Sequence, residues 1–250
     1  MKIITLCEGV FSVGNSKAFL PFDKKKDILS DRERGSFLLA VQPFLIILRN
    51  DVVLVDTGLG QMSGGNLQLV ENIKQAGYSA EQVTKVLLSH LHRDHIGGIF
   101  ASAGAEAPLT FSKATYYIQQ RELEYALQQQ HQSYDLEVLN RIHGDSRFFL
   151  MTENSGSIMD GITYEVTGGH SPYHQVFWFT EGEQRFFYGA DVAPQLFFVK
   201  NSMVGKYDYD GKKTRDLRSD FLKRAIAQNW TFLFYHDTEF PLWNPNKLNL

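Results

Sequence analysis

Residues 90–95 read His90-Leu91-His92-Arg93-Asp94-His95, and this hexapeptide is the most informative stretch of the chain. It places three imidazoles and one carboxylate within six positions, whereas the whole chain of 250 residues has 8 histidines. Neutral imidazole and carboxylate are ligands that suit zinc, and also iron or manganese. A polar surface loop is the alternative interpretation, but three histidines so close together favour a metal site.

The residues on either side of the hexapeptide indicate its local structure. The segment 85–89 is apolar apart from its ends and is typical of a short buried strand. Gly97 and Gly98 follow the hexapeptide and permit a close turn. We therefore expect the ligand-type side chains on a loop at the end of a strand, where a rigid scaffold can hold a metal.

Three more ligand-type residues each follow a strand-like apolar segment. Taken singly, each has a simpler explanation as a turn residue, a helix cap or a histidine at a strand end. Strands that deliver their ends to one edge of a sheet would bring these residues to the hexapeptide, which makes a set of seven candidate ligands. They are His170 after residues 162–167, Asp191 after residues 185–188, and His236 after residues 231–234.

This pattern resembles the metallo-β-lactamase superfamily of hydrolases, whose HxHxDH motif corresponds to His90, His92, Asp94 and His95. From His95 onward, the intervals to the later histidine, the bridging aspartate and the last histidine are 75, 21 and 45 residues. The strand and acidic turn at residues 53–58 also resemble the family. The resemblance spans residues 45–236 and implies an α/β fold, a four-layer αββα sandwich of two β-α halves. We expect a single domain over residues 1–250.

The same resemblance implies two divalent metal ions, for which zinc is expected and iron or manganese are the alternatives. Two ions about 3.5–4 Å apart can share a hydroxide that attacks the scissile group. Asp94 and Asp191 are expected to be catalytic as well, because a carboxylate can accept or deliver the proton that moves as the leaving group departs. The implied ligands are His90, His92 and His170 for one ion, Asp94, His95 and His236 for the other, with Asp191 between them.

Other residues are expected to support the ligands. Asp56 is predicted to accept a hydrogen bond from a ligand imidazole and to orient it, with a turn cap as the alternative. His174 is predicted to lie behind the ligands or to be structural. His131 and His143 fall in a polar region and are expected at the surface.

The segment 194–213 follows the predicted bridging aspartate and is expected to be an aromatic loop. Its residues Phe197, Phe198 and Tyr207 are predicted to form a wall for an apolar substrate, with core packing or a dimer contact as the alternative.

The size and the last two intervals resemble the N-acyl homoserine lactonase group. The predicted function is therefore hydrolysis of a small ester-like substrate, preferably a lactone. One position departs from that group, because Pro194 stands where such lactonases carry a tyrosine three residues after the bridging aspartate. Tyr188 and Tyr207 are the candidates to replace that hydroxyl.

Several alternatives stay open on the same fold. They are a thioester hydrolase of the glyoxalase II type, a phosphoesterase or phosphotriesterase, an iron-dependent oxidoreductase, and a catalytically silent binding protein. A glutathione thioester would call for a basic patch near the site, and the sequence indicates none. A complete set of second-metal ligands favours hydrolysis over the one-metal oxidoreductase.

Composition limits the partners and the location. The net charge is −3, from 25 basic and 28 acidic residues, which gives no electrostatic case for nucleic-acid binding. The single Cys7 excludes an intramolecular disulfide and suits a reducing compartment. No apolar run is long enough for a signal peptide or a membrane span. We expect a cytoplasmic protein with a small-molecule substrate, without nucleic acid or membrane partners, and a homodimer is left open.

Hydrophobic periodicity and turn residues predict the elements around these sites. A hairpin is expected at residues 44–55, and the segment 19–22 is not expected to be a strand because of its proline. Helices are expected at residues 66–76, at 121–130, and from a cap at Thr214 to about Asn229, with Arg218 on a solvated face. Later strands are expected at residues 148–150, 162–167, 175–180 and 184–189.

Overall fold

The computed structural model describes residues 1–104, 106–142 and 145–247. Two six-stranded sheets form its centre. The first has the order β1 (Lys2–Thr5), β5 (Phe44–Ile47), β6 (Val52–Val55), β9 (Lys85–Leu87), β10 (Thr115–Gln119), β11 (Phe148–Met151). The second has the order β12 (Ser155–Met159), β13 (Ile162–Val166), β14 (Gln175–Glu181), β15 (Gln184–Tyr188), β16 (Thr231–Leu233), β17 (Leu242–Trp243).

Smaller elements complete the fold. A three-stranded sheet has the order β3 (Phe19–Pro21), β2 (Gly9–Val13), β4 (Phe37–Val41), and a two-stranded sheet pairs β7 (Met62–Ser63) with β8 (Asn66–Leu67). The helices are α1 (Gln68–Gln75), α2 (Arg93–Ile96), α3 (Gln120–Ala126), α4 (Leu136–Ile142), α5 (Leu196–Asn201) and α6 (Gly211–Gln228). Short 3₁₀ turns lie at Leu29–Asp31, Ala80–Gln82 and Ala190–Val192.

Successive side chains of a strand point to opposite faces of the sheet, and this alternation produces the layers. In the hairpin of β5 and β6, Leu45 and Leu54 pack with residues of α1, whereas Phe44 and Val53 face the second sheet. On the outer face of the second sheet, Phe187 packs with residues of α5 and α6. The two sheets thus pack face to face with helices outside, and the predicted four-layer αββα sandwich is confirmed.

The sheets place several strand ends close together. Asp56 follows β6 and the ligand hexapeptide follows β9, and these two strands are parallel neighbours. In the second sheet, Asp191 follows β15 and His236 follows β16, which are also parallel neighbours. Because parallel neighbours end at the same edge, residues from both halves of the chain meet between the two sheets.

Four predictions about elements were wrong. The segment Phe19–Pro21 is a strand, because β3 lies at the edge of its sheet and Pro21 ends it, where a missing N–H does little harm. The segment after Asp191 contains the helix α5. Helix α6 begins three residues before the predicted cap at Thr214, and the side chain of Asp210 caps it by accepting from the Lys213 N–H at 2.9 Å. Helix α3 ends at Ala126.

The predicted hairpin at residues 44–55, the helix at residues 66–76 and the four later strands are confirmed within a few residues. No helix of the described residues is long and apolar enough to cross a membrane. The single domain over residues 1–250, the cytoplasmic location and the homodimer stay predictions.

Candidate metal centre

The ligand hexapeptide leaves β9 and turns into the one-turn helix α2. The His95 N–H donates to the His92 carbonyl at 2.9 Å at the start of α2, and the ring centres of His90 and His95 lie 4.2 Å apart. Gly97 is required for packing as well as for a turn, because a side chain there would meet the backbone of Leu59 at 2.3 Å. The hexapeptide is therefore held against the loop that follows Asp56.

Four predicted ligands form a first group whose ligand atoms all lie within 4.8 Å of one another. His92 Nδ1 lies 3.0 Å from His90 Nε2 and 3.0 Å from His170 Nε2. His170 Nε2 lies 3.1 Å from Asp191 Oδ2. Ligand atoms bound about 2.1 Å from a tetrahedral zinc ion lie roughly 3.4 Å apart, so these spacings fit one shared ion.

The other three predicted ligands form a second group, again with ligand atoms within 4.8 Å of one another. Asp94 Oδ2 lies 3.8 Å from His95 Nε2 and 3.6 Å from His236 Nε2. Asp191 Oδ1 lies 3.2 Å from His95 Nε2 and 3.0 Å from His236 Nε2. Asp191 therefore has one oxygen at each group.

Hydrogen bonding within the protein does not satisfy these atoms. Each imidazole nitrogen has either one N–H or one lone pair, so His92 Nδ1 cannot satisfy both of its neighbouring ring nitrogens. His95 Nε2 and Asp191 Oδ1 are buried and have no hydrogen-bond partner among the described residues. Such unpaired polar atoms are costly, and a cation in each group would pair with all of them. The donor set therefore fits metal ions.

The protonation of the histidines also suits metal binding. Burial and the neighbouring imidazoles lower the pKa of His90 and His92 well below the usual range, so both rings are neutral. Burial also acts to lower the pKa of His95, but three carboxylates, with Asp191 first, raise it well above its usual value. The second group thus attracts positive charge, and a divalent cation would provide it.

Asp56 lies directly behind the second group. Its carboxylate is fully buried and Oδ2 lies 2.7 Å from His95 Nδ1. It also accepts from the Ser89 N–H at 2.8 Å, the Ser89 hydroxyl at 2.7 Å and the Tyr188 hydroxyl. These bonds hold the ring of His95 so that Nε2 points at the other ligands.

Asp208 was not identified from the sequence. Its Oδ1 lies 3.1 Å from His170 Nδ1, and its carboxylate is fully buried. Arg218 from α6 lies 3.5 Å from the other oxygen of Asp208, and it donates to the carbonyls of Val192 and Met203. Asp208 therefore fixes the His170 ring, and Arg218 compensates the buried charge.

The prediction that Arg218 lies on a solvated face was wrong, because its side chain is fully buried. A signal for burial was present in the helix periodicity. The buried face of α6 consists of residues at helical intervals, namely Thr214, Arg218, Phe221 and Ala225. A charged residue on such a face needs a buried partner, and the sequence does not identify Asp208 as that partner.

The remaining histidines differ in position. His174 is fully buried with its ring centre 5.0 Å from that of His90, and neither ring nitrogen has a hydrogen-bond partner among the described residues. It therefore packs against a ligand without orienting it through a hydrogen bond. His131 is exposed, as expected. The prediction for His143 falls outside the described residues.

A cavity of about 470 Å³ opens onto both ligand groups. Of the predicted wall residues, Tyr207 lines it, with its ring centre 5.7 Å from that of His170. The structure corrects the other two positions. Phe198 is buried beneath the Arg218 guanidinium, and Phe197 is 58% exposed on the outer surface of α5. Neither residue lines the cavity.

The two tyrosines that are candidates to replace the missing hydroxyl differ in their position relative to the cavity. Tyr188 is fully buried and its hydroxyl donates to Asp56, away from the cavity. Tyr207 lines the cavity beside the ligands. Burial and the nearby carboxylate of Asp191 raise the pKa of Tyr207, so its hydroxyl stays protonated at neutral pH. Pro194 itself accepts a backbone hydrogen bond from His236 at 3.0 Å.

Comparison with known proteins identifies the family. The family model described as the metallo-beta-lactamase superfamily matches residues 38–236. The chain therefore belongs to the metallo-beta-lactamase superfamily, as its sequence motif indicated.

Individual relatives are more distant. An N-acyl homoserine lactonase from Bacillus cereus is 27% identical over 157 residues, which cover 55% of this chain and 57% of that protein. The chain thus matches less than two thirds of that relative's length. A probable metal-dependent hydrolase from Staphylococcus aureus has a TM-score of 0.76 at 19% identity, covering 96% of this chain and 91% of that one. AidC, a dizinc quorum-quenching lactonase, has a TM-score of 0.74 at 19% identity, covering 96% and 88%. At these identities the structural likeness shows the fold alone.

Proposed function

We propose that this protein is a metal-dependent hydrolase that binds two divalent ions and opens small ester-like substrates, with a lactone as the preferred class. The observation that carries the proposal is the position of Asp191, whose two carboxylate oxygens lie 3.1 Å from His170 and 3.0 Å from His236. A carboxylate with one oxygen in each ligand group suits a bridge between two ions. Zinc is the ion we expect, with iron and manganese as alternatives.

The ligands would divide between the two ions as the two groups described above do. They are His90, His92 and His170 at one ion, Asp94, His95 and His236 at the other, and Asp191 between them. Two bound ions would supply a water of lowered pKa and polarise the scissile carbonyl. The chain itself orients two of the imidazoles from behind, through Asp56 at His95 and Asp208 at His170. His236 is oriented in the same way, since the Ala40 carbonyl lies 2.7 Å from its Nδ1.

The cavity suits a small substrate with an apolar part. The proposed ligands that line it are His92, Asp94, His170, Asp191 and His236. The lining also includes the apolar side chains of Val13, Phe19, Phe37 and Leu39, which can pack against an acyl chain. The lactonase relatives support an ester-like substrate, because lactones and esters react at the same kind of carbonyl.

Two groups can handle the proton in this reaction. The carboxylates of Asp94 and Asp191 line the cavity and can accept a proton from the attacking water. The protonated hydroxyl of Tyr207 can donate a hydrogen bond to the substrate oxygen that gains negative charge. Tyr207 would thus supply the hydroxyl that Pro194 cannot.

Elemental analysis of protein purified without added metal, combined with hydrolysis of N-acyl homoserine lactones and aryl esters, tests the proposal. We expect two metals per chain and hydrolysis of at least one class of these substrates. Asp191→Asn keeps the shape of the side chain but removes a charged ligand. It should lower kcat/KM by more than about a hundredfold and reduce the metal content. The exposed Asp216→Asn is the matched control and should change neither.

Other results would contradict the proposal. One iron per chain together with oxygen consumption would indicate an oxidoreductase. Full hydrolysis by Asp191→Asn would show that the two ligand groups do not act together.

A further inference from the structure

The cavity wall beyond the ligands carries a set of basic side chains, which we name the cationic rim. Its members are Lys17, Arg93, His131 and Lys206. The acidic residues that line the same cavity are Asp94, Asp191 and Asp208, and all three face ligand histidines. Among the described residues, the nearest other carboxylate at the edge of this cavity is that of Glu33, which accepts the backbone and side-chain N–H groups of Asn15 at 3.2 and 3.0 Å and forms no ion pair with the rim.

The rim cations are not paired elsewhere in the described residues. The ion pairs of lysine and arginine there involve other side chains, namely those of Lys26, Lys74, Lys85, Arg147, Arg215, Arg218 and Arg224. Asp135 lies near Arg93 in a neighbouring depression, but its carboxylate accepts the N–H groups of Glu137 and Val138 at the start of α4. Lys17, Arg93 and Lys206 therefore line the cavity without an ion-pair partner among the described residues.

Contacts among three separate segments hold two members of the rim, Lys17 and Arg93, in place. Lys17 Nζ donates to the Ser133 hydroxyl at 2.9 Å, and the Arg93 guanidinium donates to the Lys17 carbonyl. The Arg93 N–H donates to the Ser133 carbonyl at 2.8 Å. The guanidinium also lies over the ring of Phe19, 5.5 Å from its centre. Because Arg93 lies between the ligands His92 and Asp94, the rim is joined directly to the metal centre.

His131 belongs to the same cluster. The Ser133 N–H donates to His131 Nδ1 at 3.4 Å. Partial burial and then the charge of Lys17 lower the pKa of His131, so its imidazole is neutral at neutral pH. The rim thus offers ammonium and guanidinium groups as cations, and the neutral imidazole of His131 as a hydrogen-bond donor, to one group of a bound molecule. Apolar Val13 and Phe19 line the cavity beside it.

From this arrangement, and resting on the proposed hydrolase function, we infer that the preferred substrates are anionic. The substrate would carry a carboxylate at the end remote from the reacting ester, and the cationic rim would bind it. Its ester would lie over the ligands, and its apolar chain would pack on the wall between the two ends. Charge-assisted hydrogen bonds from ammonium and guanidinium groups recognise a carboxylate in this way.

The sequence indicated no basic patch near the site, and the structure corrects that expectation. The four basic residues lie at positions 17, 93, 131 and 206, so the sequence has no local cluster of basic residues that predicts them. The net charge of −3 is a sum over the whole chain and does not report the local excess of positive charge at this cavity.

A pair of 4-nitrophenyl esters of the same diacid tests the inference. Mono-4-nitrophenyl suberate has a free carboxylate at its far end, and 4-nitrophenyl methyl suberate has a neutral methyl ester there. We expect the wild type to prefer the anionic ester by about tenfold in kcat/KM, mainly through a lower KM. Lys17→Met should reduce that preference at least threefold, and so should high salt, because the rim is open to solvent. Lys223→Met, on the exposed face of α6, is the matched control and should keep the preference.

A binding measurement separates this inference from the proposed function. Calorimetric titration of the purified protein with monomethyl suberate should show binding that Lys17→Met weakens. If neither ester is hydrolysed but this binding is found, the hydrolase proposal fails and the anion site stands. If both esters are hydrolysed equally by the wild type, or if Lys17→Met leaves both the preference and the binding unchanged, the inference is overturned.

Discussion

Asp208 Oδ1 lies 3.1 Å from Nδ1 of His170, although 38 residues separate the two in the chain. The backbone reinforces this contact, because the Tyr209 N–H donates to the His170 carbonyl at 3.0 Å. A carboxylate behind an imidazole fixes the ring and makes its other nitrogen a better metal ligand. The loop before α6 thus supports the candidate metal centre, even though none of its residues belongs to the candidate ligands.

Replacing this carboxylate should weaken metal binding. Asp208→Asn keeps the size of the side chain but removes the charge that faces His170. We expect a 10- to 100-fold loss of metal affinity in a competition titration with a chelator. The exposed Asp220→Asn on α6 is the control. An unchanged affinity in Asp208→Asn would show that the contact does not support the ligand.

The partnership between Arg218 and Asp208 should also be visible in folding. Arg218→Met leaves the buried Asp208 carboxylate without its cation, so the free energy of unfolding should fall by about 3–5 kcal/mol in urea titrations. The double variant with Asp208→Asn should lose less than the sum of the two single changes, because the unpaired charge is then absent. The exposed Arg215→Met should stay within about 0.5 kcal/mol of the wild type. Strict additivity would argue against the pairing.

Asp56 should be needed for the second ligand group. It accepts hydrogen bonds from Ser89, His95 and Tyr188, and an asparagine has only one acceptor oxygen in its place. Asp56→Asn should therefore bind less than the wild-type amount of metal and lose at least about tenfold in kcat/KM. Tyr188→Phe removes one of the donors and should cost about 1–3 kcal/mol of stability with a smaller effect on metal content. Equal metal content in Asp56→Asn and the wild type would contradict this role.

The clustering of the seven candidate ligands was predictable from the sequence, whereas the residues that support them were not. His90, His170 and His236 each follow an apolar strand, and the family motif relates them to one another. The contact of Asp208 with His170 depends on how α6 packs against the second sheet, and no local pattern reports that packing. The strand β3 was missed for a similar reason, because its stability comes from pairing with β2 and not from its own residues.

Tyr207 provides a test of how the leaving group or the carbonyl oxygen is stabilised. Tyr207→Phe keeps the ring that packs near Phe37, with ring centres 5.7 Å apart, and removes only the hydroxyl. If that hydroxyl donates to the reacting oxygen, kcat should fall about 10- to 100-fold while KM changes little. Tyr209→Phe, on the same cavity wall, is the matched control. A change confined to KM would instead indicate that Tyr207 only contacts the substrate.

Glu8 should make stability depend on pH. Its side chain is buried, and Oε2 accepts the Leu59 N–H at 2.6 Å in the loop that supports α2. Burial is the main reason that the pKa of Glu8 is raised from 4.5 to about 7. The folded protein therefore keeps a proton that the unfolded chain releases above about pH 4.5. The resulting stabilisation is fully present below pH 4.5 and is lost as the pH rises through 7.

Glu8→Gln removes this titration, so its stability should fall less than that of the wild type between pH 5 and 8. The difference between the two curves should change by on the order of 3 kcal/mol at most, which corresponds to a pKa raised from 4.5 to about 7. The free energy of unfolding of the variant should still fall somewhat as the pH rises, because burial also raises the pKa of Glu122 to about 7. Urea unfolding at four pH values measures this, with the exposed Glu183→Gln as control. Parallel curves for Glu8→Gln and the wild type would show that Glu8 is ionised in the folded protein as readily as in the unfolded chain.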